Sequence, residues 1–400
     1  MMKQFSVMSA AATAALMIPQ AALSQTEVEV PPDGLRVRPT VRLLYDSNIL
    51  RQNDDLVAGE QDDLRITPSV DVTYRRQFGL HRLTVIGSAG YDFHQRFEFL
   101  DRERISLQAD ADLSVSGYCH VQPRARLNFA QSNLSDQGVV VGNTQRTQDY
   151  RVAVDCEKPY GFFPVAAVGY LNTSNSASSR RIFDIDTSTA MAGIGYSKAS
   201  LGEIRATFQY ERFRRPNADG AIPGLRDGAE NYRAGILFRR AVAPRLSWQL
   251  GANYFKTKPR APGIADFSGL GVEAQAVYTP SNRLSVLLDV DRSSRNQSNT
   301  GATYIVQTDF TLRGNLKLGA RSGLSAGGSY SRRSFKGELQ LDTPLLRRSD
   351  RTRAVFAGYR YQLRSRLNAG AEIRHEWRTT AVDQFRYKST SGLLFVGLDL

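Results

Sequence analysis

Ile105-Ser106-Leu107-Gln108-Ala109-Asp110-Ala111-Asp112-Leu113-Ser114-Val115-Ser116 alternates without a break: each odd position is apolar and each even one polar. On a helix those polar residues would scatter round the axis, whereas a strand gathers them on one face. The pattern recurs along the chain. Tyr304, Val306, Thr308, Phe310, Leu312, Gly314, Leu316 and Leu318 oppose Gln307, Asp309, Thr311, Arg313, Asn315 and Lys317. Leu83, Val85, Gly87, Ala89, Tyr91 and Phe93 repeat it, as do Leu284, Val286, Leu288 and Val290.

Alternation suits sandwiches and barrels alike, so the connections must choose between them. The pattern places strands near 35–50, 63–76, 80–97, 103–117, 119–133, 146–158, 163–174, 181–198 and 202–215. Further strands follow near 229–241, 245–258, 267–280, 283–296, 302–318, 322–336, 350–363, 366–379 and 384–400. Short links such as Gln77-Phe78-Gly79, Gly117-Tyr118, Pro280-Ser281-Asn282, Gly319-Ala320-Arg321 and Arg364-Ser365 alternate with long polar ones. The long ones include Arg51–Asp62, Leu134–Gln145, Pro216–Gly228 and Gly337–Ser349. That rhythm belongs to a transmembrane barrel with short periplasmic turns and longer extracellular loops. The expected fold is therefore all-β: an antiparallel transmembrane β-barrel of about eighteen strands, with sixteen as the neighbouring even count. Both termini would then lie on the periplasmic side.

Aromatics stand near the ends of the apolar faces: Tyr45, Tyr74, Phe93, Phe208, Tyr210, Tyr254, Tyr278, Tyr304, Tyr330 and Tyr359. Amphipathic rings favour the headgroup level, so these read as interface girdles. A soluble sandwich could also carry such a row, but it would not hold so many long strands in one domain.

The N-terminus reads as an export signal: Lys3, an apolar run from Val7 to Ile18, and small residues before a cleavage point after Ser24. That run is too short for a transmembrane helix, which needs about 20 residues. The expected organisation is a signal peptide at 1–24, a short periplasmic leader at 25–34 and a barrel at 35–400, in a Gram-negative outer membrane. So short a leader leaves no room for a lumen-filling plug. Mean hydropathy of −0.36 is compatible with a barrel, where only alternate strand residues meet lipid.

If the apolar faces meet lipid, the other faces line the lumen. The expected lining includes Arg36, Arg38, Arg42, Arg124, Arg126, Arg205, Arg233, Arg313, Lys317, Arg360 and Arg374. It also includes Asp110, Asp112, Asp289 and Asp291, with Asp110 and Asp112 one strand from Arg124 and Arg126. A water-filled barrel needs charged walls in any case. The chain's surplus, 52 basic against 39 acidic residues, would in addition favour anions. An exported chain rarely meets nucleic acid, so small anions or an anionic polysaccharide are the expected partners, beside outer-membrane lipid, lipopolysaccharide and the barrel-assembly machinery. Val139-Val140-Val141 between two glycines is an odd apolar patch for a loop. It reads either as a constriction folded into the barrel mouth or as an ordinary hairpin tip.

Cys119 begins one expected strand and Cys156 ends the next, at the same end, so a disulfide between them is geometrically reasonable in an oxidising compartment. The four histidines, His81, His94, His120 and His375, show no metal-ligand spacing. No catalytic residue, metal or cofactor is expected. The rival readings are a structural or surface-binding barrel with a closed lumen and, third, an outer-membrane enzyme, for which His375 beside Ile373 and Trp377 is the one hint.

The run from Val37 to Arg51, with Tyr45-Asp46-Ser47-Asn48 before the acidic Asn53-Asp54-Asp55, resembles the opening of the putative β-barrel porin 2 family. That family's first strand similarly enters a Tyr-Asp-x-Asn signature. The resemblance implies an outer-membrane barrel, in some members associated with exopolysaccharide export. The last strand keeps the alternating Leu394, Val396, Leu398 and Leu400, but it ends in Leu where barrel insertion favours Phe.

Overall fold

The computed structural model describes residues 33–57, 59–137, 140–219, 227–243, 245–261, 263–296, 302–338 and 349–400. The expected signal peptide and most of the leader fall outside them. The strands of the first half are Gly34–Asp46 (β1), Asp63–Phe78 (β2), His81–His94 (β3), Arg102–Ser114 (β4), His120–Gln131 (β5), Thr144–Asp155 (β6), Tyr160–Asn175 (β7), Ile185–Lys198 (β8) and Gly202–Arg214 (β9). The second half holds Ala229–Ala243 (β10), Leu246–Pro259 (β11), Phe267–Tyr278 (β12), Leu284–Arg295 (β13), Ala302–Lys317 (β14), Ser322–Glu338 (β15), Ser349–Gln362 (β16), Leu367–Thr380 (β17) and Tyr387–Leu398 (β18). Every strand pairs antiparallel with its sequence neighbours, and β1 pairs with β18 from Thr40↔Gly397 to Asp46↔Ser391. The sheet is thus one closed ring of eighteen strands.

Closure fixes two faces. Contacts between strands that are not neighbours can form only across the concave side of a ring. Arg205 on β9 reaches Asp155 on β6 at 2.7 Å, so both face inward. Following the register from strand to strand carries that assignment all the way round. Arg36, Arg38, Arg42, Arg124, Arg126, Arg233, Arg313, Lys317, Arg360, Arg374, Asp110, Asp112, Asp289 and Asp291 share the concave face with Arg205. Val41, Phe93, Phe162, Phe208, Ile236, Leu270, Phe310 and Leu394 stand exposed on the convex face. A soluble protein would not leave such a belt bare.

Three departures from the expected strands occur at the long-loop end. Ser178–Phe183 forms 3₁₀ turns rather than strand, with Arg180 folded over the Phe183 ring at 4.3 Å and both buried. Asp383–Phe385 is likewise 3₁₀, so the last strand begins at Tyr387. Tyr304 is not at an interface. It is buried against Phe267, with Phe255 in the same cluster. Pairing between β12 and β13 stops at Val272↔Arg292, and the end of the β13–β14 hairpin then folds over the inner wall of β11 and β12.

The family-like signature closes the first loop. Buried Asp46 accepts the Asn48 amide at 3.0 Å, the Arg51 guanidinium at 2.9 and 2.8 Å, and the Ser389 hydroxyl at 2.7 Å. Asn48 donates to the Gln52 carbonyl at 2.7 Å and to Asp54 at 3.0 Å. Arg51 takes φ 57°, a left-handed conformation that these bonds maintain.

At the opposite, short-turn end Cys119 and Cys156 form a disulfide with Phe163 and Val165 packed on it. It ties residues 37 apart in sequence. Replacing both cysteines by serine is expected to lower barrel stability by about 2–4 kcal/mol. Urea unfolding in detergent micelles, with and without reductant, measures this; equal midpoints for the oxidised and substituted proteins would contradict it.

Candidate functional site

The lumen has two zones. Near mid-height the concave wall carries half-buried Arg124 and Arg151 and exposed Arg126. On β5 and β6, Arg124 and Arg151 are direct register partners, and Arg126 lies one inward position from Arg124. Like charges directly opposite destabilise a sheet. Asp110 binds Arg124, whereas Arg126, opposite Asp149 in register, and Arg151 form no ion pair among the described residues. Arg36 and Arg233 also form none, and Arg360 lies over the Phe395 ring at 5.8 Å.

Most of the remaining expected residues form an ion pair or a ring contact. Arg38 meets Asp399 at 2.5 Å, Arg42 meets Asp71 at 2.9 Å, and Arg374 meets Glu376 at 2.7 Å. Arg205 binds Asp155 and Glu203, and Arg313 stacks on Phe356 at 5.0 Å. Lys317 is at the short-turn end of β14, opposite Gly323. Asp112 holds His120 Nδ1 at 2.7 Å, and Asp291 binds Arg295. Asp289 lies between Gln275 and Thr311 in register, on a wall with Asp291, Asp309 and Glu273. The wall therefore combines pairs of opposite charge with clusters of like charge.

The second zone lies toward the long-loop end, where the inner wall is covered. The β5–β6 loop turns into the barrel: Leu134, Ser135, Asp136 and Gln137 are all buried. Asn133 caps its short 3₁₀ turn through the Ser135 amide at 2.9 Å. Asp136 then reaches β15, nearly across the ring from β5, and accepts both Arg333 Nη atoms at 2.8 Å. Arg333 also donates to Asp350 on β16 at 3.0 and 2.6 Å. Arg378 on β17 reaches Asp136 at 3.1 Å and the Ser135 hydroxyl at 3.2 Å. All four charged side chains are at most 2% exposed. Two cations and two anions balance, and bidentate geometry satisfies them in a low dielectric.

The loop's apolar residues have a matching place. Leu134 packs with Leu50 and Leu100 from the two preceding long loops, and Val140 rests on that cluster. A side chain at Gly142 would meet the Phe99 carbonyl at 2.3 Å, so only glycine fits this approach. Val139 is outside the described residues. A second inward segment is held by Arg215, whose guanidinium binds Asp227 at 2.8 Å and the Ala302 carbonyl at 2.6 Å, with both side chains fully buried. None of these latch residues stood out in the sequence. Arg333 and Arg378 could be placed on the inward parity, but their partners arrive from a loop that carries no periodicity.

The histidines are otherwise engaged. His94 Nδ1 lies 2.7 Å from Asp63, both buried, and His375 Nδ1 lies 2.8 Å from the Thr390 hydroxyl. Among the described residues no three His, Cys, Asp or Glu side chains gather as a metal site.

Residues 219–399 match the family model for putative beta-barrel porin 2. This porin-family match covers β10 to β18, while the Tyr-Asp-x-Asn resemblance lies on β1. Among solved structures, the outer membrane protein opdK of Pseudomonas aeruginosa is similar at TM-score 0.50 and 11% identity, over 92% of this chain and 99% of that one. A BenF-like porin of Pseudomonas fluorescens Pf-5 is similar at the same 0.50 and 11%, again over 92% and 99%. At that identity the likeness concerns the fold. No curated protein matches the chain.

Arg333→Gln leaves Asp136 and Asp350 buried with too few donors, at a cost of about 3–5 kcal/mol to the inward loop position. Hydrogen exchange of residues 132–137 should accelerate strongly while the amides of β15 and β16 stay protected. Unchanged exchange in the loop would show that the ion pairs do not hold it.

Proposed function

We propose that the protein is an outer-membrane channel for anionic solutes, entered through an arginine-rich lumen and narrowed by an inward-folded loop. The observation that carries this reading is the direct opposition of half-buried Arg124 and Arg151 beside exposed Arg126 on the inner wall. Asp110 binds Arg124 and Asp149 stands opposite Arg126, so only part of the like-charge cost is left for a mobile anion to offset. Guanidinium groups offer paired hydrogen bonds to carboxylate or phosphate, and several weak stations allow a solute to move on. Barrels of about 16–18 strands leave room for an aqueous path. Asp289, Asp291 and Glu273 on the far wall temper the preference, so the expected selectivity is mild.

Exopolysaccharide passage is the larger-cargo version of the same reading, supported by the family resemblance on β1 and the match over β10 to β18. The covered mouth favours small anions, because a polymer would have to displace the whole β5–β6 loop. The same cover supports the rival reading of a closed, surface-binding barrel. Planar-bilayer recording separates them: single-channel current is expected, and its absence would defeat the channel reading. Under a potassium chloride gradient the reversal potential should indicate anion preference. Joint Arg124→Gln, Arg126→Gln and Arg151→Gln substitution should reduce the anion-to-cation permeability ratio by roughly two- to threefold. Deleting residues 136–143 should raise conductance; an unchanged value would show that this loop does not narrow the path.

A further inference from the structure

The convex face also carries an arrangement that its surroundings do not explain. At the long-loop ends of β13, β15 and β16, Arg292, Arg332, Arg351 and Arg353 stand exposed on the lipid-facing parity, the side of Val272, Val355 and Tyr359. Arg332 and Arg351 are direct register partners. Arg292 joins the same row through Thr308, and Arg353 lies one outward position below Arg351, between Tyr330 and Trp377. None of the four forms an ion pair or a hydrogen bond with another described residue. The neighbouring acids with described side chains on β13, β14, β16 and β17, Asp291, Asp309, Asp350, Glu372 and Glu376, all lie on the concave face.

Three unpaired guanidinium groups along one register row, two of them directly opposed, with Arg353 one position below, repel each other. The next row toward mid-barrel on the same face runs Val290, Phe310, Tyr330, Arg353 and Trp377 in register from β13 to β17, so Arg353 is flanked by the two aromatic rings. Aromatic rings settle at the headgroup level, so the arginines stand at the height of the headgroups themselves. Phosphate is the anion found at that height in quantity, and guanidinium binds it in bidentate fashion. We infer that Arg292, Arg332, Arg351 and Arg353 form a docking surface for the phosphate groups of a phosphorylated glycolipid in the outer leaflet. This rests on the outer-membrane reading with the long loops outside.

The test uses the full barrel in an uncharged detergent, titrated by native mass spectrometry with lipid A carrying two phosphates and with the same lipid after phosphate removal. The intact protein should bind the phosphorylated lipid at least tenfold more tightly. Joint Arg332→Gln, Arg351→Gln and Arg353→Gln substitution should abolish that difference while binding of the dephosphorylated lipid persists. Arg240→Gln, on the same face at the short-turn end, should leave it intact. Heat-modifiable gel migration verifies that each variant is a folded barrel. Equal affinity for the two lipids, or a triple variant that keeps the tenfold preference, would overturn the inference. So would a triple variant whose change is the loss of a higher oligomer, since the arginines would then cover a second copy. Orientation is read separately by labelling Asp55→Cys on intact cells with an impermeant maleimide. Failure there would refute the sidedness while the lipid titration still reports phosphate recognition.

Discussion

Backbone hydrogen bonding in a medium without water is the constraint from which this structure follows. A strand crossing hydrocarbon must pair both of its edges, and an open sheet always leaves two edges unpaired. The β1–β18 ladder removes them. Its register, Thr40 against Gly397 and Arg42 against Phe395, does more than close the ring. Side chains alternate with period two, so a slip of one residue at any of the ladders would turn every later apolar residue inward. The belt from Val41 through Phe208 and Leu270 to Leu394 is continuous because no such slip occurs within the spanning part.

The long-loop end obeys a different rule. Above the hydrocarbon, water can satisfy loose backbone, and the segments are free to fold inward rather than stand out. What they bury is mostly polar: Asp46, His94, Asn143, Arg215, Arg333 and Arg378 are each under a tenth exposed. A covering of this kind gains little from the hydrophobic effect. Its coherence depends on complete pairing, as in the Arg333–Asp136–Arg378 contacts, because a buried charge that loses its partner is costly. Apolar contacts such as Leu50 on Leu100 and Leu134 are small and local by comparison. Cover built this way is specific in geometry yet sensitive to a single lost partner, which suits a segment that narrows a path.

Legibility in the sequence divides along the same line. Spanning strands could be read almost to the residue, because the lipid imposes period two and the turns punctuate it. Gly79, at positive φ, marks a turn as the sequence suggested. Inward parity of the arginines followed automatically from the apolar parity of their neighbours. The cover was not legible in the same way. Val140 and Gly142 looked anomalous for an exposed loop, and that anomaly was the one available sign that the loop is not exposed. Nothing near Asp136 points to Arg333, which lies 197 residues away. Tyr304 misled for a related reason. It continues the lipid-facing alternation of Phe310 and Leu312, but its hairpin has by then left β12 and turned inside.

Register also exposes a shared logic in the two faces at mid-barrel and above. A folded sheet normally sets opposite charges across from each other, as Asp110 does with Arg124 and Asp350 does with Arg333. Where it sets arginine against arginine, at Arg124↔Arg151 inside and Arg332↔Arg351 outside, compensation is incomplete: Asp110 binds only Arg124 of the inner pair, and no acid among the described residues binds either arginine of the outer one. The missing charge must come from the surroundings, and the two surroundings differ. Inside, the wall faces water, so the compensating anion can exchange. Outside, it borders an aromatic girdle, where the anions are anchored to lipid and can only reside. One pattern of like-charge pairing thus underlies both the proposed passage on the concave face and the proposed attachment on the convex one.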